Sequence, residues 1–241
     1  MEFSFERQKN MRRTLTLAAV ALVAVSAQAQ LIYENLGGPF TVLAPGTPGE
    51  DLAGDNFLPP APPIGQNWQI TDFGIAIFFE VAGSHSIDDI RIDFFNQVDS
   101  PGAGPAFSSL AGGFNGNATG ITTTAAFNGF LFTWSGLSID LASSAGNANG
   151  YGVQVSLNSF TSPGDVMIGY TDSVATVGSS ANGFFADLTT PDGTIVGDEY
   201  FTFGNTNDNL AVQITAQPVP EPGTMIALGL GASALLARRR R

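Results

Sequence analysis

The chain contains no cysteine and a single histidine, His85, among its 241 residues. The lack of cysteine excludes disulfides, thiolate metal sites and cysteine nucleophiles. One histidine also cannot supply the ligands of a histidine-rich zinc site. A Ser-His-acid triad would have to use His85, but no Gly-x-Ser-x-Gly elbow accompanies it. We therefore expect His85 to lie in a turn or at the start of a strand.

Basic residues are scarce, and most of them lie at the two ends of the chain. Of the nine lysine and arginine residues, only Arg91 falls within residues 30–221, where 19 of the 21 acidic residues are found. That segment carries a net charge of about −18, which repels nucleic acids and anionic membrane surfaces and favours divalent cations as partners. The same charge could instead serve only to keep an apolar protein soluble.

The first 29 residues have the organisation of a secretory signal peptide. An arginine pair precedes an apolar stretch over residues 15–25, and Ala27 and Ala29 give the small-x-small pattern of a cleavage site. We expect a signal helix that is removed after Ala29. Met11 is a better start than Met1, because the residues before it add two acids where a basic region is expected.

The last residues form a distinct unit, in which Val219, Pro220, Glu221 and Pro222 precede an uncharged apolar run. That run would form a helix of roughly 21 Å, shorter than the roughly 30 Å hydrocarbon core, although arginine side chains can snorkel and permit a marginal span. The prolines favour an extended peptide before the helix, and terminal arginines favour a cytoplasmic C terminus. These arginines are Arg238, Arg239, Arg240 and Arg241.

This order of features resembles the PEP-CTERM sorting signal of Gram-negative bacteria, over residues 219–241. The resemblance implies processing near the Pro-Glu-Pro motif by an exosortase, a membrane-embedded cysteine-dependent transpeptidase analogous to sortase. It also implies that the arginines stop translocation, that the inner membrane holds the chain transiently, and that the product reaches the cell surface or the exopolysaccharide matrix. The alternatives are an anchor that is never cleaved and a buried apolar helix, which four unpaired charges disfavour.

Residues 30–217 are expected to form one domain, and residues 218–241 the sorting segment. Apolar residues recur with a period of two, as in Tyr151 to Leu157 and Leu210 to Ile214. Short strands separated by glycine-rich turns predict an all-β fold, an antiparallel β-sandwich that is jelly-roll-like. Two segments rich in glycine, proline and small residues, 39–63 and 101–129, are expected to be loops, the first with at most a short strand at residues 55–58.

The acidic residues suggest two kinds of site. A glycosidase needs two convergent carboxyl groups, and pairs such as Asp88-Asp89 and Asp198-Glu199 would point to opposite faces if they lay in strands. Calcium suits two oxygen-rich stretches better, residues 50–56 and residues 205–209, although neither stretch matches the EF-hand spacing and an Asx-rich turn is the alternative. The calcium candidates are Asp51, Asp55, Asn207 and Asp208.

The two tryptophans leave one further alternative open. Trp68 and Trp134 could form a sugar-stacking platform, but core packing explains large aromatic residues in a sandwich more simply. The sequence indicates an exported, exosortase-processed surface or matrix protein with no catalytic activity and no cofactor. The alternatives are a secreted carbohydrate-binding module or glycoside hydrolase that uses the same sorting route, and a permanently anchored single-pass membrane protein.

Overall fold

The computed structural model describes residues 28–43, 52–98, 107–142, 150–180, 185–187, 200–201 and 209–221, together with Ile226 and Leu230. Strands dominate these residues, and every strand pairing among them is antiparallel. The first sheet contains β1 (Gln30–Glu34), β2 (Phe40–Leu43), β4 (Gln66–Phe79), β7 (Asn128–Asp140), β9 (Val166–Thr171), β12 (Asn209–Leu210) and β13 (Val212–Pro220). The second sheet contains β3 (Leu52–Phe57), β5 (Gly83–Val98), β6 (Phe107–Thr123), β8 (Tyr151–Thr161), β10 (Phe185–Asp187) and β11 (Tyr200–Phe201).

Strand β4 is the centre of the first sheet. One of its edges pairs with β7, and its other edge pairs with β13 as far as Ile75 and then with β9 from Ile77 onwards. Strand β1 lies beyond β13, and β2 lies beyond β9. The second sheet runs in the order β11-β10-β3-β8-β5-β6.

The two sheets pack face to face, because every second residue along their strands directs its side chain toward the opposite sheet. Phe73 of β4 meets Phe94 of β5 with ring centroids 5.5 Å apart, and Tyr33 of β1 meets Phe57 of β3 at 5.7 Å. Both contacts join strands of different sheets, so the hydrophobic core lies between the sheets. Its largest fully buried side chains are Trp68, Tyr33, Phe57, Phe73, Phe79, Phe94, Ile32, Ile70, Ile75, Ile77 and Ile87.

The all-β antiparallel prediction is confirmed, but two predicted loops are wrong. Residues 107–123, within the expected loop 101–129, form the long strand β6, and segment 39–63 contains both β2 and β3. Glycine misled the prediction, because it fits a strand where a neighbour packs closely against the backbone. A Cβ atom on Gly116 of β6 would lie 2.4 Å from the indole nitrogen of Trp134 on β7.

The jelly-roll strand order and the two terminal helices stay predictions. The expected signal helix lies outside the described residues, and of the apolar tail only Ile226 and Leu230 are described. Among the residues that the structure describes, no helix has the length and apolar character needed to cross a bilayer.

The contact between the sheets gives a stability prediction. Phe94 is completely buried and touches both Phe57 and Phe73, so Phe94→Ala should lower the free energy of unfolding by about 3–5 kcal/mol in urea titrations followed by tryptophan fluorescence. The control Val174→Ala changes a side chain that is 77% exposed and should shift stability by no more than about 0.5 kcal/mol. Equal effects of the two substitutions would contradict the proposed position of the core.

Candidate functional site

The sequence motif at the C terminus begins inside the fold. Val219 pairs with Asn67 and Pro220 with Gln66, both at the start of β4. The backbone N–H of Glu221 then donates to the carbonyl of Gly65 at 3.0 Å. Strand β13 thus continues past residue 217, the expected end of the domain. We call this folded domain the body, and no linker separates it from the motif.

The prolines of β13 occupy positions that a strand tolerates. Because Glu221 bonds to Gly65, the residues two and four positions earlier also direct their N–H groups toward β4. Pro218 and Pro220 alternate with them, so their missing N–H groups face away from β4. The pairing of β1 with β13 extends only to Ala216, so no ladder bond with β1 is lost there either.

The two ends of the body lie on neighbouring strands. Gln30, where the mature chain is expected to begin, starts β1 and pairs with Ala216 of β13. Ala29, just before it, is exposed. Because the strands are antiparallel, the start of β1 and the end of β13 lie at the same end of the sheet. The predictions on Ala27, Pro222 and Arg238 to Arg241 fall outside the described residues.

His85 is a buried neutral residue without a carboxylate partner among its described hydrogen bonds. Its ring stacks on Phe79 at 4.2 Å, its Nε2 lies 2.8 Å from the Thr123 hydroxyl, and its Nδ1 lies 3.0 Å from the Ser162 hydroxyl. Thr123 already donates its proton to the Val81 carbonyl, so Nε2 donates to Thr123 and Nδ1 accepts from Ser162. Burial lowers the pKa of His85. The expected position at a strand start is confirmed, since β5 begins at Gly83.

The acids of β5 hydrogen-bond to side chains of neighbouring strands. Asp88 accepts from Thr161 at 3.0 Å, and Asp89 accepts from Asn115 and Asn158 at 2.9 and 3.0 Å. Arg91 binds Asp93 through its guanidinium group and donates to Asn115. The body's one arginine is therefore engaged on the outer face of the second sheet. Asp198 and Glu199 lie outside the described residues.

Asp55 lies between the sheets, where a carboxylate is not expected. It alternates with Ala53 and Phe57, both fully buried core residues of β3, and is itself only 1% exposed. Its Oδ1 accepts from the N–H of Asn56 at 2.7 Å, and its Oδ2 accepts from the N–H of Leu210 at 2.9 Å. Leu210 belongs to β12, so this carboxylate joins the two sheets. Burial raises the pKa of Asp55 well above its usual range.

Further polar side chains surround this carboxylate. Ser180 donates to the Asn56 side-chain oxygen at 2.9 Å and lies 3.5 Å from Asp55 Oδ1. Burial, followed by the charge of Asp55, raises the pKa of Tyr33, while the nearby Asn35 and Ser180 lower it. Yet the Tyr33 hydroxyl and both side-chain polar atoms of Asn35 are buried without a hydrogen bond of good geometry. We call Tyr33, Asn35, Asp55, Asn56 and Ser180 the interior polar cluster.

The structure thus relates one calcium candidate to the second oxygen-rich stretch. Asp55 contacts Leu210, which directly follows the stretch that contains Asn207 and Asp208. Asp51, Asn207 and Asp208 themselves lie outside the described residues, among which no three histidine or acidic residues gather as metal ligands. The sequence analysis missed Tyr33, Asn35 and Ser180. Only the alternation of Asp55 with apolar residues could have pointed to an interior site.

The tryptophans do not form a shared platform. Trp68 is 1% exposed, and its indole N–H donates to the Pro60 carbonyl at 2.8 Å, so it belongs to the core. Trp134 is half-buried on β7, where its ring stacks on Phe132 and lies against Gly116. A sugar-stacking surface that uses both indoles is therefore not present in this fold.

Comparison with known proteins identifies the C-terminal segment. Residues 218–241 match the family model of the PEP-CTERM protein-sorting motif, which confirms the resemblance found in the sequence. The motif implies an exosortase as processing partner, with export and sorting at a membrane. No curated protein and no solved structure matches the chain significantly.

His85 gives a prediction of pH dependence. Because its folded-state pKa lies below 6.5, the folded protein binds fewer protons than the unfolded chain just below that pH. The stability from neutral His85 is thus present above about pH 6.5 and is lost as the pH falls through the folded-state pKa. In urea titrations from about pH 7.5 to 5, wild type should lose stability relative to His85→Gln, which can bond to Ser162 and Thr123 without titrating. A difference independent of pH would refute this account.

Proposed function

We propose that this protein is an exported, non-enzymatic surface or matrix protein that an exosortase separates from its membrane tail near Val219–Pro222. The observation that carries the proposal is the sorting-motif match over residues 218–241. In this scheme Arg238 to Arg241 stop translocation and the apolar segment before them lies in the inner membrane. The exported body then reaches the cell surface or the exopolysaccharide layer.

The geometry of β13 supports a body held close to the membrane before processing. Because the strand runs directly into Glu221, only the apolar segment would separate the folded body from the arginines. The start of β1 lies at the same end of the sheet. An N-terminal signal helix and a C-terminal tail could therefore both occupy the same membrane during export without strain across the body.

The same geometry implies that the motif must leave β4 before it is cut. A peptide bound in a membrane enzyme needs its own backbone groups free, whereas the N–H of Glu221 is bonded to Gly65 and Val219 is paired with Asn67. Beyond Ala216 the strand has β4 on one side only, so opening this end breaks few hydrogen bonds. We expect the last residues of β13 to open locally while the body stays folded.

The absence of catalysis is part of the proposal, and the side-chain arrangement supports it. His85 is neutral and bonded to two hydroxyl groups, Thr123 and Ser162, rather than to an acid. The outer acids Asp88 and Asp89 are bonded to threonine and asparagine side chains of adjacent strands. A general acid and base pair needs one carboxyl group with a raised pKa facing a cleft, and Asp55, whose pKa is raised, lies in the core instead.

Mass spectrometry of the C terminus tests the sorting itself. We expect wild-type cells to yield a product without Arg238 to Arg241, and cells without the exosortase to retain the full-length chain in the inner membrane. Glu221→Ala should accumulate the full-length form, whereas Glu34→Ala, outside the motif, should be processed normally. An intact arginine tail in wild-type cells would instead support a permanently anchored protein.

A cross-strand disulfide tests the release of β13. The native chain has no cysteine, so Asn67→Cys/Val219→Cys can form only one intramolecular bond, and it would fix the motif to β4. We expect this variant to accumulate unprocessed in an oxidising periplasm and to be processed when reductant is added. The control Gln69→Cys/Gln217→Cys joins the same strands before the motif and should be processed like wild type. Normal processing of both oxidised variants would show that release is not required.

A further inference from the structure

The interior polar cluster poses a problem of charge balance. Asp55 is buried between the two sheets, and an ionised carboxylate there needs a compensating positive charge. Arg91 is the only lysine or arginine within residues 30–221, and it binds Asp93 on the outer face of the second sheet. His85 is neutral and bonded elsewhere. Within the part of the chain that the structure describes, no basic side chain therefore neutralises Asp55, which leaves a proton or an inorganic cation.

The cluster also holds more oxygen atoms than its own hydrogen bonds use. Asn35 is completely buried, and among the described residues neither its Oδ1 and Nδ2 atoms nor the Tyr33 hydroxyl make a hydrogen bond of good geometry. Ser180 lies 3.5 Å from Asp55 Oδ1 and donates to the Asn56 side-chain oxygen at 2.9 Å, and Asn35, Ser180 and Asp55 all lie near enough to the Tyr33 hydroxyl to influence its pKa. Buried polar atoms of this kind are normally satisfied, so their presence here points to an additional partner.

We propose that the interior polar cluster binds a calcium ion through Asp55 and the neighbouring neutral oxygens of Asn35, Asn56, Ser180 and Tyr33. Calcium prefers hard oxygen ligands from carboxylate, amide and hydroxyl groups and accepts irregular geometry, whereas magnesium requires a nearly ideal octahedron and keeps its waters. A divalent ion also suits a body with a net charge of about −18, since its excess positive charge is offset by the surrounding acids. The ion would lie where β3 of one sheet meets β12 of the other.

Binding would strengthen the contact between the sheets. Asp55 already accepts from the Leu210 N–H across the interface, and a cation would keep the carboxylate ionised and add ligands from β1 and from Ser180.

Thermal unfolding of the full chain in detergent tests the proposal. After removal of divalent ions by a chelator, 10 mM Ca²⁺ should raise Tm by about 3–10 °C, as expected for a site of submillimolar to millimolar affinity. The same concentration of Mg²⁺ should have much less effect. Terbium luminescence sensitised through Tyr33 gives a second readout of occupancy, and Ca²⁺ should displace the terbium.

Two variants and a control distinguish this site from general binding to the acidic surface. Asp55→Asn should lose the Ca²⁺-dependent Tm shift, whereas Asp140→Asn, which changes an exposed acid, should keep it. Asn35→Leu replaces unpartnered polar atoms with an apolar side chain, so it should fold at least as well without calcium and yet bind Ca²⁺ at least tenfold more weakly. It decides the question even if Asp55→Asn does not fold.

Three results would overturn the proposal. The first is an unchanged wild-type Tm in 10 mM Ca²⁺, which would leave Asp55 neutralised by a proton. The second is an equal Tm shift in wild type and Asp55→Asn, which would assign the effect to surface acids. The third is wild-type Ca²⁺ affinity in Asn35→Leu. None of these results depends on processing by an exosortase, so they leave the sorting proposal unaffected.

Discussion

The pairing of β13 with β4 is the constraint on which the remaining features of the molecule depend. It places the last strand beside the central strand of the first sheet, with Ala216 beside the start of β1 and Val219 beside Asn67. The body is therefore completed by the same strand that carries the sorting motif. A single ladder of backbone hydrogen bonds therefore links the first sheet to the sorting motif.

The two faces of the second sheet differ in how their acidic residues are neutralised. Acids on the outer face of the second sheet accept hydrogen bonds from amide and hydroxyl groups of adjacent strands, and Arg91 binds Asp93 of its own strand and donates to Asn115 of β6. Asp55 lies on the opposite face of the same sheet, out of reach of that arginine. Since a low dielectric strengthens both the cost of an unpaired charge and the benefit of a paired one, the interior carboxylate is where an external cation would matter most.

The sequence predicted the parts of the fold that depend on alternation of side chains. Tyr151 to Leu157 and Leu210 to Ile214 were identified because their apolar residues face the core at every second position. Strand β6 was missed because its glycines serve close packing against Trp134, which is a property of the neighbouring strand. The interior polar cluster was missed for a related reason, since Tyr33, Asn35, Asp55 and Ser180 converge only through tertiary structure. The sorting motif was found because it is a local peptide signal.

The same geometry bears on the proposed export route. In that route β13, the last of the described strands, can pair with β4 only after almost the whole body has crossed the membrane, so the first sheet would be completed only when the arginines arrest the chain. The residues of β13 after Ala216 are not paired with β1, so we expect this end of the strand to open first. In this scheme β13 pairs with β4 when the body assembles, and its last residues separate from β4 when the motif is processed. The earlier part, from Gln213 to Ala216, is paired on both edges and would keep the body folded when the motif is released.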